Sequence, residues 1–171
     1  MRRGLWCVWL VGVLGGVGGL GGVQGCASGG AEQDLALAVV GREEGVMGGP
    51  TERGVWVVES PEELRGLLTD TSIASRLSRR VRWGQQVVVV VGQGTQPTGG
   101  YWVRVTGVEL GERRGKPWLT VRYMANRPGP GDIVTQALTQ PYSAVVVDGV
   151  SGAGGVGGVT GQPDAVEGLV R

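Results

Sequence analysis

The sequence predicts a mainly β protein of the α+β kind. The expected form is an antiparallel β-sandwich or partly open barrel of six to seven strands with one or two short helices. Three observations predict it. The chain is rich in valine and punctuated by 35 glycines and 8 prolines, the composition of short strands and turns. Its apolar segments run for five to ten residues between turn signals. One stretch alone, "SPEELRGLL", carries a strong helix signature.

The first 25 residues read as an address rather than as structure. Arg2 and Arg3 precede an apolar run from Leu5 to about Val23, the order of an export signal. The run is long enough to span a bilayer. Glycines at 12, 15, 16, 18, 19, 21 and 22 make its second half a poor helix, which disfavours a retained anchor helix. Residues 26–33 read as a short tether. The β-rich domain is expected over 34–148. The Gly-rich, low-complexity tail, 149–171, is expected to be disordered.

Within the domain, "DLALAVVGRE" alternates Leu35, Leu37 and Val39 and predicts a first strand. "VWVVE", 55–59, predicts a second. In "SPEELRGLL", Ser60 is the N-cap, Pro61 the first helical residue and Glu63 the closing member of a capping box. Leu64, Leu67 and Leu68 share one face. A second helical piece is predicted over 72–80. It ends in "RLSRRVRW", read as a solvated basic face, with contact to anionic lipid head groups as the alternative. "QQVVVVVG", 85–92, is apolar at five consecutive positions. A half-exposed strand would alternate, so this one is predicted to be central and covered on both faces. "YWVRVTGVEL", 101–110, changes parity between Val105 and Val108, which predicts a β-bulge at Gly107. "PWLTVRYM", 117–124, is the next strand. "IVTQALTQ" and "YSAVVVD" form the last strand or pair, broken at Pro141.

The composition excludes several functions. There is no histidine, and there are two cysteines, so neither a zinc nor an iron–sulfur site can be assembled. No metal or other cofactor is expected. The net charge is +1, and without Arg2 and Arg3 the balance is 14 basic against 15 acidic residues. That offers no concentrated basic face for nucleic acid. A nucleophilic Ser or Thr would lack a histidine base, Ser143 and Thr135 read as ordinary sheet hydroxyls, and the "GVGGVGG" runs lack the strand–glycine–helix order of a phosphate loop. The chain is therefore read as non-enzymatic.

Two loops are the candidate site. The first carries Gln96, Pro97, Thr98, Gly99 and Gly100, followed at once by Tyr101 and Trp102. The second carries Arg127, Pro128, Gly129, Pro130 and Gly131. Rigid Pro-Gly loops lose little entropy on binding, and Tyr and Trp are favoured anchors. The plainer reading is a pair of turns whose Pro and Gly set dihedrals, with Tyr101 and Trp102 on opposite faces of a strand.

The run of motifs from Val81 to Asp148 resembles the C-terminal domain of the PrcB family, lipoprotein subunits of a bacterial surface protease complex. The residues that carry the likeness are Pro97-Thr98-Gly99-Gly100-Tyr101 after the polyvaline strand, Pro128-Gly129-Pro130-Gly131, Thr135-Gln136 and Pro141-Tyr142. The end of the leader, "VQGC", also resembles a lipoprotein cleavage box, with Gln24 in an unusual slot and Cys26 as the lipidated first mature residue. Ala27 after it implies the outer membrane. The resemblance implies a lipid-anchored accessory of the cell envelope that binds a protein partner, a protease or another envelope protein. A second likeness, of "QPTGGYW" to the loop of chagasin-type cysteine-protease inhibitors, implies an inhibitor module. The other two loops of that pattern are displaced here, to Lys116-Pro117-Trp118 and to 152–155. A structural envelope lipoprotein is the third reading.

Overall fold

The computed structural model describes residues 34–150 and 158–164. These form eight strands and two helices: β1 (Leu35–Ala36), β2 (Val39–Gly45), β3 (Arg53–Val58), α1 (Pro61–Leu67), α2 (Thr71–Ser78), β4 (Gln86–Gln93), β5 (Trp102–Arg113), β6 (Lys116–Asn126), β7 (Tyr142–Asp148) and β8 (Gly158–Pro163). The strands make two four-stranded sheets, an inner one in the order β2-β7-β4-β3 and an outer one in the order β1-β5-β6-β8. The helices lie on the inner sheet, so the body has three layers with two cores.

The polyvaline strand explains the layering. Val88 and Val90 face the helices and join Leu64, Leu68, Ala74, Leu77, Tyr142, Ala144 and Val146. Val87, Val89 and Val91 face the outer sheet and join Val103, Val105, Val108, Leu119, Val121, Val145 and Val147. Both parities are dry, which is why the run shows no alternation. β5 covers the sandwich from one side only, so it alternates: Val103 and Val105 are buried while Trp102, Arg104 and Thr106 are exposed. Its register against β6 slips between Val105 and Gly107. This is the predicted bulge, and it returns Val108 to the core face. The β5–β6 hairpin closes on Arg114 and Gly115 at φ 55° and 74°, the two positive-φ positions of a type I′ turn.

Local chemistry sets the helices. Ser60 Oγ accepts a hydrogen bond from the Glu63 N–H at 3.2 Å, and the Glu63 carboxylate reaches back to the Glu59 N–H at 2.9 Å. α2 starts at Asp70, whose carboxylate accepts from the N–H groups of Ser72 at 2.7 Å and Ile73 at 3.4 Å. The two sheets are joined at the bulge by a polar contact. Buried Ser143 Oγ on β7 accepts from the Val105 N–H at 3.1 Å and donates to Glu44 at 3.3 Å. Arg42 donates to the Val105 carbonyl at 2.7 Å.

Three expectations are corrected. The first strand is two strands: β1 pairs with β5 and β2 with β7. The chain changes sheet at Leu37-Ala38, where the Leu37 N–H bonds Val108 on one sheet and the Ala38 carbonyl accepts from Asp148 on the other. The segment "IVTQALTQ" is not a strand. It crosses from the outer to the inner sheet and makes a single bridge, Thr139 to Gln96. The tail expected to be disordered supplies β8, which pairs in parallel with β6 over Trp118–Tyr123. Its six residues hold two glycines and a proline, so the free edge of β6 orders them rather than their own propensity. The strand count is thus eight. The leader at 1–25, the tether at 26–33 and Cys26 lie outside the described residues.

Candidate functional site

The β4–β5 loop and the β6–β7 loop meet at one end of the sandwich, and hydrogen bonds lock them together. Gln96 and Thr139 exchange both backbone bonds, at 2.7 and 3.0 Å, and the Gly99 N–H donates to the Thr135 carbonyl at 2.9 Å. Thr139 Oγ1 donates to the Thr98 carbonyl at 2.8 Å. Asn126 Nδ2 donates to the Gly100 carbonyl at 3.0 Å. Within the second loop, the Gly129 N–H is held by Asp132 at 2.7 Å. Each loop thus satisfies the polar backbone of the other, and ordering costs little on binding.

The glycines of the first loop serve this packing. A Cβ on Gly99 would stand 2.3 Å from Thr135 Oγ1. Gly100 has a φ of +85°, and a Cβ there would meet Val134 at 2.9 Å and Pro128 at 3.2 Å. Gly99, Gly100 and Pro128 therefore sit where loop packs on loop; Gly99 is buried there, Pro128 is half-buried and Gly100 keeps an open side. Arg127, Gly129, Pro130 and Gly131 are exposed. Tyr101 is half-buried and lines a groove of about 510 Å³ with Arg53, Gln96, Pro97, Asn126 and Arg127. Trp102 points the other way, onto the open face of the outer sheet, and is 40% exposed. Neither aromatic is core; the buried ring of this region is Tyr142, at 1%.

Sequence reasoning missed the most exposed apolar groups of the loop end. Ile133 is wholly exposed and Leu138 is 66% exposed. Val46 and Met47 are also open, on a turn whose Val46 carbonyl accepts from the Gln140 N–H at 2.9 Å. The signal was present in "IVTQALTQ", but its β-branched residues imitate a strand. Pro128 and Pro141 bracket it, which is the mark of a shaped crossing loop.

The other candidates resolve into structural roles. Arg76 and Arg80 both grip Glu43, and Arg82 pairs with Asp148, so most of the basic cluster is engaged within the protein. At Glu44 burial pushes the carboxyl up, but hydrogen bonds from Arg42 and Arg104 outweigh it and hold the group below its ordinary value. Ser143 serves as the link between sheets, and Thr135 belongs to the crossing loop rather than to a sheet. Lys116-Pro117-Trp118 opens β6, at the opposite end from Asn126, so it does not flank the first loop as the inhibitor pattern would need. Among the described residues, no three His, Cys, Asp or Glu side chains cluster as metal ligands. No helix among them is long and apolar enough to cross a membrane.

A model of the family described as PrcB C-terminal matches residues 87–148, which run from β4 to the end of β7 and contain both loops. No curated protein and no solved structure matches the chain.

Proposed function

We propose, on the premise that residues 87–148 form a PrcB C-terminal domain, that this chain is a non-catalytic accessory of the cell envelope. It binds a protein component of a protease complex through its loop end. The family match supports the association with a protease complex. One observation carries the choice of surface: Ile133 stands wholly exposed on a loop whose neighbours are fixed by hydrogen bonds. Exposed apolar side chains on a preorganised backbone, beside a half-open groove with an aromatic wall, are what a protein-binding surface requires.

The anchor in this reading is a lipid on Cys26, supported by the "VQGC" sequence, with the outer membrane as its address. A Cys26→Ser chain should accumulate as unprocessed precursor without lipid label; normal processing would remove the anchor from the proposal. The binding surface is tested in the full chain, in its own envelope, by the double variant Ile133→Asp, Leu138→Asp. Recovery of cross-linked partner should fall ~10-fold or more, the range of a lost hot spot, with an unchanged melting temperature. Undiminished recovery would sink the loop-end assignment.

A further inference from the structure

β8 is a poor strand in a demanding place. Gly158, Gly161 and Pro163 occupy half of it, and of its residues Val159 packs against the inter-sheet core. Its ladder with β6 is parallel, the less stable geometry per residue. β6 is longer than its cover. The Asp164 N–H donates to the Tyr123 carbonyl at 2.8 Å, while β6 continues through Ala125 to Asn126. Beneath this edge a cavity of about 370 Å³ remains, lined among others by Val55, Val91, Val103, Tyr123, Ala125 and Val159. It shares Arg53, Gln93 and Ala125 with the groove walled by Tyr101 and Pro97. The cavity and the groove therefore adjoin at these residues and together outline a trough toward the loop end.

We propose that the β6 edge is a strand-acceptor site. An extended segment of a partner protein pairs with Trp118–Tyr123 in place of β8, fills the cavity with its inward side chains and runs on into the Tyr101 groove. The inference rests on the reading of the domain as a partner-binding module and adds the form of the partner. Backbone pairing supplies affinity, and the pockets for alternate side chains supply selection. The trough states the chemistry. The position opposite Leu119, now Val159, takes an aliphatic residue. The position opposite Val121 takes a small one, because a Cβ on Gly161 would stand 2.6 Å from Val55 Cγ2. The position opposite Ala125 takes a β-branched residue that reaches the cavity. The Asp164 N–H points at β6, so by the two-residue period those of Thr160 and Gln162 do too, and proline is excluded at both places.

The test uses the full chain and a fluorescein-labelled synthetic peptide, GGVTGQPDVV, read by anisotropy. It copies residues 157–164 and ends in two valines, the first where the strand would face Ala125. The Val159→Asp chain, with its own strand weakened, should bind the probe ~10-fold or more tightly than the wild type, because occupancy by β8 taxes apparent affinity. The peptide GGVPGQPDVV should bind neither. Equal binding to both chains, no binding to a cooperatively folded Val159→Asp chain, or binding of the proline peptide overturns the proposal. If Val159→Asp does not fold, hydrogen exchange of the wild type decides. The Thr160 and Gln162 amides should exchange ~100-fold or more faster than those of β4, the mark of a locally opening segment; equal rates overturn it. The probe copies nothing that touches Ile133 or Leu138. Its failure therefore leaves loop-dependent capture standing, and failure of the loop variants leaves probe binding standing.

Discussion

The inner and outer sheets are built from similar residues and behave as opposites. In the inner sheet, Val87 to Val91 of β4 and Tyr142 to Val147 of β7 are buried without a break. In the outer sheet, β5 buries Val103, Val105 and Val108 and β6 buries Leu119 and Val121, while Trp102, Arg104 and Arg122 turn to the open side. The difference lies in what covers each face. The central strands β4 and β7 of the inner sheet have helices on one side and a sheet on the other, while its edge strands β2 and β3 are only partly covered. The outer sheet has one dry face, one wet face and one edge held by a weak strand. Segments that open or bind are generally drawn from less covered regions. Here the exposed Trp102, the crossing loop and the β8 edge, the surfaces proposed above for binding, belong to it or border it.

The largest effects should come from substitutions that ask whether two parities matter or one. Val88→Ala and Val89→Ala point to different cores, and each should cost about 2 kcal/mol, from two lost methylene equivalents plus a cavity term. Val105→Ala on β5 should cost as much. Arg104→Ala, one residue away, removes an exposed pair with Glu44 at 3.2 Å and should cost under ~1 kcal/mol. Urea midpoints at constant slope measure all four. A mild Val88→Ala would break the contrast, since it would mean that the helices do not cover the inner sheet.

Ser143→Ala examines the point where the two sheets are tied. It leaves the Val105 N–H without its acceptor in a buried seam, which should cost about 1–3 kcal/mol. Because β5 bulges at this point, the variant should also raise hydrogen exchange at Val105 more than at Val103. An unchanged midpoint and unchanged exchange would show that the sheets are held by the valine core alone.

Much of this contrast could be read in the sequence, because coverage writes itself into periodicity. The unbroken valines of 87–91 announced a strand dry on both faces, and the parity change around Gly107 announced the bulge. The capping box at Ser60 announced a helix start. What was hidden depended on partners distant in the chain. Leu37 and Ala38 look like mid-strand residues, yet they bond to two different sheets. Gly158–Pro163 has no strand signal of its own and is ordered by the edge of β6. At the candidate site, the loops of Pro97 to Tyr101 and Pro128 to Gly131 meet. Their division of labour was not legible, since nothing local says that Gly99 faces Thr135 while Ile133 faces water.

The smallest effect at neutral pH should be that of Tyr142→Phe, and it sharpens the contrast by pH. The Tyr142 ring lies on the helix side of the inner sheet. A Cβ on Gly45 would come within 2.8 Å of its Cε1, and one on Gly49 within 3.1 Å of its Cδ1. Burial pushes the phenol up to about 12 and the Glu43 carboxylate adds to the rise, while Arg76 opposes it. The group is neutral when protonated, and its folded value lies above its ordinary value of 10.0. Its contribution is therefore complete below pH 10 and is lost as pH rises toward about 12. Wild type and Tyr142→Phe should have matching midpoints at pH 7 and diverge above pH 10, with the wild type falling further. Parallel curves through pH 12 would mean that the phenol reaches solvent, and that the inner sheet is less completely covered on its helix side than Val88 and Val90 indicate.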